Sequence, residues 1–202
     1  MKVVNYLSRV DKDKCIGCRL CESICPTGAI SMLEKKAFVD EDLCRACCKC
    51  EDVCPNEAVI LAERSEPLMV SADVDTVDEA AIDEICAKAD LFPEQMICAC
   101  TMTPVKEAAA AILNGARTPE DISVMTGVRT GCGIYCMGAI QRLLNANGIE
   151  LKPPANNRWY KQCISMWDIP DDVAKSNPGY FIEEDQKIYR SKTKGGGQRD
   201  VK

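Results

Sequence analysis

Eight of the cysteines are spaced for one kind of chemistry. They read C-I-G-C-R-L-C-E-S-I-C-P over 15–26 and C-R-A-C-C-K-C-E-D-V-C-P over 44–55, which is C-x2-C-x2-C-x3-C-P twice. The two runs keep one register, 29 positions apart: Cys15/Cys44, Cys18/Cys47, Cys21/Cys50, Cys25/Cys54, Glu22/Glu51, Pro26/Pro55 and Ala29/Ala58. Three thiolates at this spacing converge on one iron–sulfur cube, and where two runs occur the fourth cysteine of each ligates the other cube. The spacing therefore assigns Cys15, Cys18, Cys21 and Cys54 to one [4Fe-4S] cluster, and Cys44, Cys47, Cys50 and Cys25 to a second. Four-thiolate zinc sites also use C-x2-C pairs, but they join two separated pairs and have no need of three evenly spaced thiolates followed by C-P. Cys48 falls outside the register and reads as a small side chain pointing away.

A second set of thiols begins at Met96-Ile97-Cys98-Ala99-Cys100 and closes at Thr130-Gly131-Cys132-Gly133-Ile134-Tyr135-Cys136. Cys98, Cys100, Cys132 and Cys136 thus form C-x-C and C-x3-C, separated by 31 residues of helical pattern. Helix starts bring backbone N–H groups and a positive dipole end toward anionic thiolates. Four thiolates suit one [2Fe-2S] cluster, and the same set also suits a tetrahedral zinc ion.

Residues 10–64 resemble the bacterial-type ferredoxin with two [4Fe-4S] clusters, on the doubled cysteine motif. Residues 96–147 resemble the BFD-like (bacterioferritin-associated ferredoxin-like) [2Fe-2S] domain. That second resemblance rests on C-A-C, the T-P-x-x-E helix start, N-G-A-R-T-P-E-D and T-G-x-R-T-G-C-G. The family usually closes with C-G-x-C, whereas three residues separate Cys132 from Cys136 here, an extra residue that a loop bulge can absorb. Together the two resemblances imply an α+β chain. It holds a small ferredoxin-like two-cluster domain over 1–64, a linker and helix over 65–95, and a small all-helical [2Fe-2S] domain over 96–150. An irregular, aromatic-rich tail over 151–202 completes it.

The elements that position these cysteines are short. Val3–Leu7, Ala29–Leu33, Ala37–Val39 and Ala58–Ala62 read as strands, with Glu34–Lys36 as a turn. So small a core is marginal alone, and metal binding supplies much of its folding free energy. Residues 63–76 read as a linker containing Pro67. A helix over Val77–Ala89 follows, capped by Asp75 or Thr76, with Ile82, Ile85, Cys86 and Ala89 on its apolar face. Thr103 is the expected cap of a helix over Val105–Leu113. Thr118-Pro119 starts a second helix, which stops at Gly127, and a third runs from Cys136 to Asn145–Gly148.

Composition limits the partners. The formal charge is −6 and the pI about 4.9, which disfavours nucleic acid and anionic membranes. No stretch approaches 18 consecutive apolar residues, so no membrane insertion is expected. The N-terminus lacks the apolar core of a signal peptide. Fifteen cysteines without an export signal point to metal ligands in a cytoplasmic, reducing and anaerobic setting. The absence of histidine excludes a Rieske centre, His-ligated zinc or haem, and Ser-His or Cys-His catalysis. No dinucleotide or P-loop motif occurs, so substrate chemistry falls to another chain.

BFD-like domains are familiar as fusions or partners of flavin dehydrogenases. The resemblance thus implies an electron-transfer subunit serving a flavoprotein (FAD or FMN) in a hetero-oligomeric oxidoreductase. The alternatives are a freely diffusing ferredoxin-type carrier and an iron–sulfur or metal delivery protein. The tail carries six of the ten aromatic residues and no long helical period, so it either wraps its own domains or lies along a partner. Cys163 within it reads as structural, and the chain from Lys192 as mobile.

Overall fold

The computed structural model describes residues 1–152 and 165–194; Cys163 and the end of the chain from 195 lie outside the described residues. The first unit opens with β1 (Lys2–Val10), α1 (Leu20–Ile24), β2 (Ile30–Leu33), β3 (Lys36–Val39), α2 (Lys49–Asp52) and β4 (Val59–Val70). β1 and β4 form one antiparallel ribbon, Lys2 opposite Val70 and Val10 opposite Val59. β2 and β3 form a hairpin turned at Glu34 and Lys35, both at positive φ, the backbone a tight hairpin requires.

The repeat extends to the backbone. Gly17 and Ala46 both have positive φ, as do Arg19 and Cys48 one turn later and Gly28 and Glu57 after each run. The Asp11 amide donates to the Ala58 carbonyl (2.7 Å) and the Asp40 amide to the Ala29 carbonyl (2.8 Å), each half thereby clasping the other. A Cβ at Gly17 would stand 2.2 Å from the Lys35 carbonyl oxygen, so only glycine fits there.

The second unit holds α3 (Glu79–Lys88), β5 (Met96–Cys98), β6 (Thr103–Pro104), α4 (Val105–Leu113), α5 (Pro119–Thr126) and α6 (Met137–Ala146). α4 is buried all round at its middle, Ala108 to Ala111 being fully inaccessible, and its alanines let α3, α5 and α6 approach closely. Ile82, Ile85 and Cys86 on α3 join Ile140, Leu143 and Leu144 on α6 in this core. α5 starts as its sequence indicates. The Thr118 hydroxyl accepts from the Asp121 amide (3.1 Å), and the Asp121 carboxylate accepts from the Thr118 amide (2.9 Å). It ends at Gly127 with φ 78.

Four expectations change. The segment expected as a linker from 63 continues β4 to Val70, because the long β1 supplies a ladder partner. Pro67 is accommodated where the register jumps from Val4–Leu68 to Tyr6–Glu63. The helix expected from Val77 begins at Glu79 with Asp78 as its cap, since Val74–Thr76 is used in a 3-10 turn. Thr103 does not cap α4: it pairs with β5, and the first helical amides, Val105 and Lys106, donate to the Gln95 and Pro93 carbonyls instead. The described part of the tail is helical, with α7 (Asp171–Ser176) and α8 (Ile182–Lys194). It folds back on its own chain: the Tyr189 ring stands 4.8 Å from that of Phe92, and its hydroxyl is 2.7 Å from Gln95 Oε1. α8 buries so thin a stripe that its sequence shows little apolar period.

Candidate iron–sulfur sites

Cys15, Cys18, Cys21 and Cys54 line one cavity, closed by Ile16, Gly17, Leu20 and Pro55. The Ala37 amide donates to Cys15 Sγ (3.4 Å) and the Ala58 amide to Cys54 Sγ (3.3 Å). Burial raises the Cys15 thiol, but the Ala37 and Gly17 amides and the charges of Lys36 and Lys12 outweigh it, leaving a net lowering.

Cys25, Cys44, Cys47 and Cys50 form the second group. Burial pushes the Cys47 thiol up to about 11, and its neighbours Cys25 and Cys44 add to the rise. Cys50 is pushed up to about 12 by burial and by Cys47, Cys25 and Cys44, against a hydrogen bond with the Ser8 hydroxyl at 3.2 Å. The Ser8 amide donates to Cys44 Sγ (3.5 Å). Ser8 and Ala37 are equivalent under the 29-residue repeat, so the donors to Cys44 and Cys15 are symmetric too. The fourth cysteine of each run thus stands with the other run's first three.

Each run hangs from an aspartate. The Asp11 carboxylate accepts from the Asp13 and Lys14 amides, and Asp40 from the Asp42 and Leu43 amides; the Cys15 and Cys44 amides donate to the Asp11 and Asp40 carbonyls, each at 3.1 Å. The sequence reading missed Asp11, Asp40 and Ser8. The repeat register would have found the aspartates, since both stand four residues before the first cysteine of a run. Cys48 stands at the position before α2 without capping it, its Sγ directed at the Ala46 carbonyl, outside the four-thiol group. Cys86 is fully buried and pushed up to about 12 by that burial, an inert core thiol.

The third site consists of two pairs. Cys98 and Cys136 are buried and share a hydrogen bond, and the Arg129 amide is bonded to both. Cys100 and Cys132 are exposed and also bonded to each other. Burial acts to raise Cys98, but bonds from Thr101 and Arg129 bring it to a net lowering, whereas Cys136 is pushed up to about 12 by burial and by Cys98 beside it. The Ile134 and Tyr135 amides hold Cys132 down to about 7. The extra residue of the C-x3-C closure is taken up in an irregular loop, with Gly133 at φ 73 and Ile134 and Tyr135 facing solvent. Gly131 lets this loop approach: a Cβ there would stand 2.3 Å from Cys100 Cβ.

Among the described residues, no three His, Cys, Asp or Glu side chains close around a single metal-ion position. A cube of four irons and four sulfides is far bulkier than one ion, and its thiolates stand correspondingly further apart. The donor set is all thiol, surrounded by backbone amides that stabilise anionic sulfur, which is the chemistry an iron–sulfur cluster requires. No helix among the described residues is long and apolar enough to cross a membrane.

Among curated proteins and solved structures, nothing matches the chain. Among protein families, residues 8–31 and 37–60 each match the 4Fe-4S binding domain, and residues 96–146 match the BFD-like [2Fe-2S] binding domain. The chain therefore carries a pair of 4Fe-4S binding domains followed by a BFD-like [2Fe-2S] binding domain, with clusters of both kinds as its cofactors.

Proposed function

We propose that this chain is the electron-transfer subunit of a flavin-dependent oxidoreductase, working in a reducing cytoplasm. Cys15, Cys18, Cys21 and Cys54 hold one [4Fe-4S] cluster, and Cys44, Cys47, Cys50 and Cys25 the other; Cys98, Cys100, Cys132 and Cys136 hold the [2Fe-2S] cluster. When bound, each cluster supplies one-electron chemistry. A flavin exchanges two electrons with a substrate and one with a cluster, which makes a flavoprotein the natural partner. The observation that carries the reading is the gathering of twelve thiols into three amide-lined groups within one chain.

The residues do the holding. Amides of Ser8, Ala37 and Ala58 stabilise anionic sulfur, and Cys15, Cys21, Cys25, Cys44, Cys50, Cys98 and Cys136 are buried away from water. Cys100 and Cys132, both exposed, give the third site an open edge at which a partner's redox group can come near.

One observation favours a second reading, a freely diffusing carrier: the tail helix α8 rests on Phe92 and Gln95 of its own chain. Anaerobic native purification separates the two, with mass, flavin absorbance and iron measured on one peak. The ligand count predicts about ten iron atoms per chain. A large complex containing flavin supports the subunit; a lone chain retaining its iron establishes the carrier. A chain that readily loses two irons sinks both in favour of delivery.

A further inference from the structure

The first and second units meet along one seam, which Lys2 crosses to Glu107 and the Thr126 carbonyl, and the first-unit residues of the seam that adjoin a thiol group come from one side of the repeat. Arg45, next to Cys44, donates from Nε to the Val124 carbonyl of α5 at 2.8 Å. Lys49 lies between Cys47 and Cys50, and its Nζ stands 3.4 Å from where a Cβ would sit on Gly133, the neighbour of Cys132. The carbonyl of Pro26, next to Cys25, accepts from the Arg129 guanidinium at 2.9 Å. That guanidinium is buried and paired with Glu120 at 2.9 Å, and the Arg129 amide is bonded to Cys98 and Cys136. Apart from the Lys2 bonds, each of these contacts adjoins Cys25, Cys44, Cys47 or Cys50.

The repeat supplies its own control. The equivalents of Arg45 and Lys49 in the first run are Ile16 and Leu20. They are 63% and 38% exposed, facing solvent at the edge of the other thiol group.

We infer that the three sites stand in a fixed order, with the Cys25–Cys44–Cys47–Cys50 site in the middle, the Cys15–Cys18–Cys21–Cys54 site at the far end, and Lys49 and Arg129 as the positioning residues of the crossing to the Cys98–Cys100–Cys132–Cys136 site. This rests on the cluster assignment proposed above. An electron crossing the seam leaves one side oxidised by one and the other reduced by one, with no bond made or broken. Lys49 places a positive charge where either reduced state gains a negative one. Electrons then enter or leave at one end through the apolar rim of Ile16 and Leu20, and at the other through the third site, whose Cys100 and Cys132 are exposed.

The test is a redox titration, followed by electron paramagnetic resonance, of the cluster-loaded full chain and of Lys49→Gln, Lys49→Arg and Lys12→Gln. Lys12 is the counterpart charge at the far site, bonded to the Ala37 carbonyl whose amide donates to Cys15. In Lys49→Gln the [2Fe-2S] midpoint and that of one cube move to more negative values, and Lys49→Arg restores both. Lys12→Gln moves the other cube alone. In the unsubstituted chain, full reduction broadens the [2Fe-2S] signal through the spin of the neighbouring cube. An unmoved [2Fe-2S] midpoint in Lys49→Gln, or an equal movement in Lys12→Gln, overturns the order while leaving the three-cluster reading intact. Fewer than three reducible signals in the unsubstituted chain overturns both.

Discussion

Gly131 is the residue on which the third site turns. Its neighbour Cys132 must reach Cys100, and a methyl group at 131 would stand 2.3 Å from Cys100 Cβ and 3.0 Å from its sulfur. Both atoms belong to a side chain fixed by its partner, so the strain cannot be passed to a flexible end. Overpacking of this kind costs about 1–3 kcal/mol. Gly131→Ala should therefore lose most of the [2Fe-2S] absorption while both cubes keep theirs. Full retention of the [2Fe-2S] spectrum would show that the Cys100–Cys132 pairing is not what holds the site. Gly131 stands in the T-G-x-R-T-G-C-G motif, but its place there says nothing of a contact with a residue 31 positions upstream. The cysteines were legible because thiolate spacing is itself the chemistry. That Cys54 stands beside Cys15, Cys18 and Cys21, and Cys25 beside Cys47 and Cys50, is a grouping that two runs in one register admit.

At the scale of elements, what was legible depends on whether a boundary is set locally. α5 was readable at both ends: Thr118 and Asp121 satisfy each other's amides, Pro119 needs no partner, and Gly127 takes a positive φ at no cost. The capping bond makes a prediction. Thr118→Ala removes one acceptor and should cost about 1 kcal/mol in denaturant unfolding, leaving all cluster spectra unchanged. A cost near zero would mean that packing on α4 alone fixes the start of α5. The start of α4 was not readable, because its free amides go to carbonyls at 93 and 95, a tertiary choice that Thr103 gives no hint of. β4 overran its expected end for the same reason: Glu63–Val70 is polar enough to read as linker, and only the presence of β1 alongside makes it a strand. α8 was missed because its half-buried stripe of Ile182, Gln186 and Tyr189 holds only two apolar side chains, with Tyr189 set against Phe92 and Trp167.

The whole molecule divides its stability unevenly. Among the described residues, the core of the first unit has eleven buried apolar side chains, of which five are cysteines and three are alanines, leaving Leu7, Ile30 and Val59 as its large hydrophobes. The core of the second unit has twenty-one, with only three cysteines and a run of large aliphatics from α3, α4 and α6. Emptied of iron, the first unit is a shell of thiols pushed into proximity, and its raised thiols at Cys47 and Cys50 mark how poorly those sulfurs are served by burial alone. Metal binding is folding free energy where no adequate core exists without it. Anaerobic removal of iron with a chelator should therefore unfold the β1–β4 ribbon and its two loops first. Amide exchange should rise to the unprotected limit across 2–70 while α3, α4 and α6 stay protected. The Arg45, Arg129 and Lys2 bonds across the seam would be lost with the first unit, so α5, which receives two of them at Val124 and Thr126, should loosen next. If instead both units lose protection together, the seam couples them into one folding unit. If the first unit keeps its protection without iron, the ribbon and its three large hydrophobes suffice, and the clusters are passengers in a fold that does not need them.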